Sequence, residues 1–458
     1  MQDLTTGSLT RHLFNTAGFM LFTMMFQTLY FLADLYWMGR LGKEAVAAVG
    51  VAGNLTFVVL ALTQMLGVGT TTLVSHAAGR KDRDGARQVF NQAQALSLVA
   101  GAAFLVVGLA LTPAYAAAFS ADATTAALVR QFLWWFVPAM ALQFALVAVS
   151  SALRGLGDFK PGMIVGSSTV ALNMALAPVL IFGWGTGRPM GVAGAAVASL
   201  VAVAVGVAWL FYYAGRAGSS LTPRIHEMRP DMAVWRRLLG IGLPAGVEFG
   251  LIAVYMGVVY VVSQPFGAAA QAGFGIGQRV GQAGFMPVVA LGFAVAPVAG
   301  QNFGARRGDR VRATFSTASR LALAGMAVLV AICQLFPATL IRVFSSDPAV
   351  IAVGEEYLRI VSWNYLAAGP VFVMSSMFQA MGNTRPSLVT SAVRLVVVAI
   401  PAVLLSQVPG FRLTWVWYLT VVSVLLQTGL SLWLLRREFA LRLPDASLTP
   451  EPAAASPA

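Results

Sequence analysis

The chain has 458 residues, 58% of them hydrophobic and only 10% charged, with a net charge of +13. Soluble domains carry about a quarter charged residues, so this composition excludes an ordinary water-soluble enzyme or binding module and calls for lipid as the solvent. A single cysteine, Cys333, inside an apolar stretch excludes an intrachain disulfide and reads as a small core filler.

Apolar runs long enough for the roughly 20 residues that cross a bilayer occupy 13–38, 48–76, 92–113, 127–153, 161–182 and 190–214. A second set follows at 238–263, 272–301, 317–337, 352–381, 386–406 and 414–435. Run length and the abundance of Ala, Leu and Gly predict helices, since a spanning barrel strand shows only about ten residues of alternation. The two sets are copies. Gly42 and Gly267, Gly79 and Gly304, the F-S-A-D and F-S-S-D runs ending at Asp122 and Asp347, and the turns G-D-F-K-P (157–161) and G-N-T-R-P (382–386) all stand 225 positions apart. The fold predicted is an all-α integral membrane protein of twelve transmembrane helices in two parallel six-helix repeats. An even number of spans per repeat makes both enter the membrane in the same sense. The lobes predicted are 1–214 and 238–437, joined by a polar, basic linker at 215–237. A tail at 438–458 is too poor in large apolar groups to fold at its end. The first run is too long for a cleavable signal peptide and is expected to stay as the first helix.

Charge placement sets the orientation. Basic residues concentrate in loops on the side of the N-terminus: Arg80, Lys81, Arg83 and Arg87 after the second run, Arg224 to Arg237 in the linker, Arg306 to Arg312 after the eighth. The opposite side offers Arg40, Lys43, Arg188, Arg342 and Arg412. This asymmetry predicts that both termini are cytoplasmic in an inner (plasma) membrane. Basic residues spread over every inner loop, rather than gathered on one face, exclude nucleic acid as a partner.

Function is sought among polar groups inside the spans, because an ionised carboxylate in hydrocarbon costs several kcal/mol on any scale. In the first run Thr23, Gln27, Tyr30 and Asp34 follow at steps of four, three and four, which puts them on one helix face. The bland alternative for Asp34 is a helix-end carboxylate near Arg40, reaching the headgroups. Glu248 lies in the seventh run, where its repeat mate is Thr23, while Asp34 maps to Val259. The two acids therefore sit about 16 Å apart in depth and do not share one ion. A carboxyl withdrawn from water takes a proton more readily, the property a proton-coupled carrier requires. Asn173 in the fifth run is either a ligand or interhelical glue. Tyr255 and Gln278 join the candidates for lining a substrate cavity. Arg394 reads as a snorkelling cation, and His12, His76 and His226 at span ends make no metal pattern. G-F-G-I-G at Gly273 lacks a preceding strand and is no nucleotide loop. No cofactor is expected.

The run D-L-Y-W-M-G-R-L-G-K-E-A-V-A-A-V-G from Asp34, the loop after the second run, and the A-L-R-G-L-G-D-F-K-P and F-Q-A-M-G-N-T-R-P turns resemble the multidrug and toxic compound extrusion (MATE) family, over about residues 10–437. The resemblance is to prokaryotic members, DinF-like ones included. It implies an antiporter, not an enzyme, that exports amphipathic and cationic drugs or toxic organic cations in exchange for protons or sodium ions by alternating access. It makes Asp34 the first lobe's ion or proton site and Asn173 the asparagine of the fifth-helix motif, whereas Glu248, four residues after Pro244, comes earlier than the family's seventh-helix glutamate and on its own reads either as a coupling relay or as a buried acid bonded to a neighbouring helix. The family's fifth-helix motif continues from the asparagine to an aspartate that here is Ala177, and no acid occurs in the tenth run. With only Asp34 and Asn173 to offer a sodium ion, a proton is the preferred coupling ion. The alternative is a lipid-linked precursor flippase, which would need a strongly basic cavity. The partners expected are small-molecule drugs and the bilayer, and the chain is expected to act as a monomer.

Overall fold

A computed structural model describes residues 3–443 except Ala121, Thr186 and 217–220. Six helices make up the first repeat: α1 (Leu9–Leu41), α2 (Lys43–Gly79), α3 (Arg83–Phe119), α4 (Ala123–Gly155), α5 (Lys160–Phe182) and α6 (Val192–Ala214). The second holds α7 (Met232–Ser263), α8 (Ala268–Gly304), α9 (Gly308–Leu335), α10 (Pro337–Arg342), α11 (Pro348–Val361), α12 (Trp363–Ala380), α13 (Arg385–Leu405) and α14 (Leu413–Arg442). Among the described residues no strand occurs. Short 3-10 turns lie at Ile225–Met228 and Gln264–Phe266. Residues 438–442, expected to open the tail, continue α14, and 444–458 lie outside the described residues.

The repeat is visible in the backbone. Helices α2 and α8 are each 37 residues long and offset by 225 at both ends. Gly42 (φ 123) and Gly267 (φ 84) precede them in backbone that favours glycine, as do Gly157 (φ 78) and Gly382 (φ 74) before α5 and α13. Even Lys81 and Arg306, mates with side chains, share φ near +60 (60 and 58). The F-S-A-D and F-S-S-D runs are helix caps: Asp122 Oδ1 accepts the Thr125 N–H at 2.7 Å and Asp347 Oδ1 accepts the Ala349 N–H at 2.9 Å. The Thr125 N–H, then its hydroxyl, holds the Asp122 carboxyl below the usual range.

Eleven helices among the described residues are long and apolar enough to span a membrane. The expected tenth span, 352–381, differs in form: it is α11 and α12, broken at Ser362. Gln334 on α9 bridges the break, its Nε2 donating to the Arg359 carbonyl at 2.7 Å and to Ser362 Oγ at 2.9 Å.

Two compact units result, one holding Phe14–Met256 and the other Asp3–Leu13 with Gly257 onward. Packing thus groups the first part of α7 with the first repeat, although the sequence copy places that helix in the second. The reason is small residues. A Cβ on Gly242 would run into the Met65 carbonyl of α2, and one on Gly69 into the Leu238 carbonyl of α7, so the two backbones touch where glycine removes the side chain. Leu66, Val68, Leu238, Ile241 and Ala245 close the same contact. The linker docks on α3 of this unit: Gln92 Nε2 donates to the carbonyls of Glu227 (2.6 Å) and Arg229 (2.7 Å), and Asn91 Oδ1 accepts the Arg224 N–H at 2.9 Å. In the other unit the segment before α1 is held likewise. Gln301 Oε1 accepts the Leu4 N–H at 3.0 Å, Asn302 Nδ2 donates to the Leu4 carbonyl at 3.2 Å, and Arg307 reaches the Thr5 carbonyl at 2.6 Å.

Gly242→Val is expected to cost about 3 kcal/mol through overpacking and to lower the melting midpoint of the detergent-purified protein. Gly240→Val, at a position with open space where a side chain would begin, should melt like the parent.

Candidate functional site

The first repeat gathers its polar side chains at one place. Helix α1 carries Tyr30 and, one turn on, Asp34; α5 contributes Asn173 and α6 Ser199. Asn173 and Ser199 are buried, 3% and 6% exposed. The Tyr30 hydroxyl stands 2.9 Å from Ser199 Oγ, and Asn173 Nδ2 donates to the same oxygen at 3.1 Å. Ser199 donates its own proton to the Ala195 carbonyl at 3.1 Å. Its hydroxyl has one hydrogen, so Tyr30 and Asn173 are the donors and Ser199 the shared acceptor. Three helices are tied by one oxygen.

Asp34 stands beside this hub. Its Oδ1 is shielded from solvent and has no hydrogen-bond partner among the described residues. The pairing with Arg40 that a headgroup-seeking carboxylate would make is missing there too: Arg40 lies over the rings of Tyr36 (5.7 Å) and Trp37 (6.0 Å). Trp37 in turn packs edge-on against Phe182 and Trp184. A buried carboxylate oxygen in this position calls for a proton, a cation or a donor from a bound compound. Ala177, where the family motif has an aspartate, is a buried core residue, so the cluster holds one acid.

The other candidates are not hydrogen-bonded to the hub. Thr23 turns its hydroxyl to its own helix, donating to the Phe19 carbonyl at 2.9 Å. Gln27 is exposed on α1. Glu248 and Tyr255 are half-buried on α7, in the same compact unit as Asp34, and neither bonds to Tyr30, Asn173 or Ser199. Gln278 belongs to the other unit, where its Oε1 accepts the Tyr357 hydroxyl at 2.6 Å beside Phe274 and Trp417. No group of three His, Cys, Asp or Glu side chains able to hold a metal occurs among the described residues. For a sodium ion the cluster offers one carboxylate, one amide and hydroxyls already engaged, and a proton needs only the carboxylate.

Ser199 escaped the sequence reading. A serine amid alanines and valines looks like a small packing residue. The repeat held the signal: the mates of Asp34, Asn173 and Ser199 are Val259, Val398 and Val424, all buried apolar residues.

A family model described as MatE matches residues 20–179 and 244–405, one stretch in each repeat. The chain is 25% identical over 410 residues to the probable multidrug resistance protein YoeA of Bacillus subtilis (strain 168), covering 87% of each. It is 24% identical to the FAD transporter of Shewanella oneidensis, over 83% of this chain and 84% of that one. An outward-facing conformation of a multidrug resistance MATE family transporter of the MOP superfamily matches with a TM-score of 0.88 at 23% identity, covering 96% of this chain and 98% of its own. A MOP superfamily transporter from Pyrococcus furiosus, described as having a binding pocket of reverse polarity, matches with a TM-score of 0.87 at 23% identity over 95% of this chain and 97% of its own. These structural likenesses establish the fold.

Removing the hub should strand two buried donors, each costing about 1–3 kcal/mol. Ser199→Ala is therefore expected to lower the melting midpoint in detergent, whereas Ser199→Thr, which keeps the oxygen, should recover most of the loss.

Proposed function

This chain belongs to the MatE family, and from that premise we propose that it is a secondary active multidrug efflux transporter exchanging amphipathic or cationic compounds for protons. Members of the family are transporters and not enzymes. The observation that carries the reading is the partnerless, shielded Oδ1 of Asp34 beside the Tyr30–Ser199–Asn173 hub. Ionised Asp34 attracts a cationic or hydrogen-bond-donating compound. Once protonated it no longer does, and α1 repacks. Coupling needs only that proton and drug prefer different states. Names of relatives support the substrate class, among them the multidrug export protein MepA of Staphylococcus haemolyticus, 25% identical. Sodium is the second candidate for the coupling ion, with Asp34 and Asn173 as its ligands. The flippase alternative is disfavoured by the scarcity of basic side chains within the spans and by relatives named for drug resistance. Glu248 is proposed as a relay on α7. Basic loops support a plasma-membrane protein with both termini in the cytoplasm.

The test is dye efflux from proteoliposomes under an imposed pH step or an imposed sodium step. The pH step is expected to drive efflux and the sodium step not. Asp34→Asn should cut the driven rate at least tenfold, equivalent to about 1.4 kcal/mol of coupling. A variant that transports like the parent overturns the assignment of Asp34, and efflux driven by sodium alone overturns the choice of ion.

A further inference from the structure

The G-D-F-K-P and G-N-T-R-P turns take no part in the cluster at Asp34. In the first, Asp158 Oδ2 accepts the hydroxyl of Tyr213, at the end of α6, at 2.8 Å. In the second, Asn383 Nδ2 donates to Oε1 of Glu438, near the end of α14, at 2.5 Å. Asp158 and Asn383 are repeat mates, and so are Tyr213 and Glu438. The same two positions are thus hydrogen-bonded in both repeats with the chemistry reversed: the carboxylate sits on the turn in one and on the helix in the other. An aspartate facing an ionised glutamate could not make the bond, whereas an asparagine on the turn can accept from tyrosine or donate to glutamate. What both repeats share is the tie and not either side chain. In the second repeat Arg442 reinforces it, with Nε on Glu438 Oε2 at 2.7 Å and Nη1 on the Met381 carbonyl at 3.0 Å.

The tie closes a hairpin. At the far end α5 and α6 are joined by backbone, the Met190 and Gly191 N–H groups donating to the Leu180 and Ile181 carbonyls at 2.9 and 3.1 Å. Gly194 there rests on the Leu180 backbone. Midway stands the Asn173–Ser199 bond, with Gly206 against the Thr169 methyl. Asp158–Tyr213 fastens the remaining end, roughly 22 Å along the helix from Asn173. Lipid provides no hydrophobic drive to hold two apolar helices together, so an unfastened end lets α5 turn or slide against α6. A 3.1 Å bond between short side chains weakens steeply under such movement.

We propose that Asp158 and Tyr213, with Asn383 and Glu438 in the second repeat, are positioning residues of the transporter: their bond fixes the helix pair, and in the first repeat keeps Asn173 on Ser199. The proposal rests on the reading of the Asp34 cluster as the coupling site. The experiment uses the full chain in proteoliposomes, with dye efflux driven by a pH step and melting in detergent as the check on folding. Tyr213→Phe, which removes the donor, is expected to lower the driven rate about fivefold with the KM for dye within twofold. Asp158→Asn keeps an acceptor, and the pair Asp158→Asn with Tyr213→Glu transplants the second repeat's chemistry. Both should transport within twofold of the parent. In an Asn173→Ala background, Tyr213→Phe should have little further effect, because the two act through one contact. A Tyr213→Phe protein that transports like the parent overturns the proposal, as does a folded transplanted pair that fails to transport. Losses that multiply in the double variant overturn it too. If Tyr213→Phe does not fold, the transplanted pair decides. An active Asp34→Asn would instead remove the reading of the site, while the Tyr213→Phe rate in the same vesicles still judges the tie.

Discussion

In hydrocarbon a polar group has no water to turn to, so backbone donors and acceptors within the spans must find their partners inside the protein. That constraint makes the fold all-helical and governs its irregularities. Threonines inside helices return their hydroxyls to carbonyls four residues back, as Thr63, Thr70, Thr112 and Thr314 do. At the break around Ser362, Gln334 donates to the Arg359 carbonyl and the Ser362 hydroxyl. Segments ahead of α1 and α7 are not α-helical, and both are held by amide side chains that stand in for backbone, Gln301 with Asn302 and Asn91 with Gln92. Several buried side-chain atoms among the described residues lack a hydrogen-bond partner, those of Trp235 and Trp417 among them. Gln94 is another case, fully buried with neither amide atom bonded, at a cost of about 1–3 kcal/mol. Asp34 differs in kind: an ionised carboxylate costs several times more than a neutral amide, and a proton or cation removes the cost.

Much of this architecture was legible in the residues. The 225-residue displacement gave the repeat before any helix was drawn, and the ends of α2 and α8 obey it. The Asp122 and Asp347 motifs, legible only as a shared spacing, turn out to be caps. What stayed hidden depends on long-range packing. No proline or glycine marks Ser362 as a break, although Glu355, Glu356 and Arg359 make the run before it less apolar than its neighbours, and Gln334, which bridges it, lies on another helix. The grouping of the first part of α7 with the first repeat follows from Gly69 and Gly242 meeting carbonyls far away in sequence. Ser199 was invisible because its importance lies in accepting from two other helices.

Duplication also supplies an internal control. Two copies under one architecture keep what the scaffold needs and differ where one copy has a separate task. Tyr30 and Tyr255 are retained as mates, and Ala177 and Ala402 both fill core positions. The glycine turns and the tie between the fifth and sixth helices of each repeat are scaffold by the same criterion, the tie persisting even though its acid has changed sides.

Asp34, Asn173 and Ser199 fail that criterion together. All three mates are buried valines, which cannot hold a proton, a cation or a hydrogen bond. A valine triplet packs without cost, whereas the polar triplet must satisfy two donors and leaves one carboxylate oxygen unsatisfied. Packing alone therefore gives no reason for the first repeat to depart from the second. Placing the coupling chemistry in one repeat gives such a reason. On that proposal the second repeat keeps the matching helical frame, tied at the same positions, without the polar triplet.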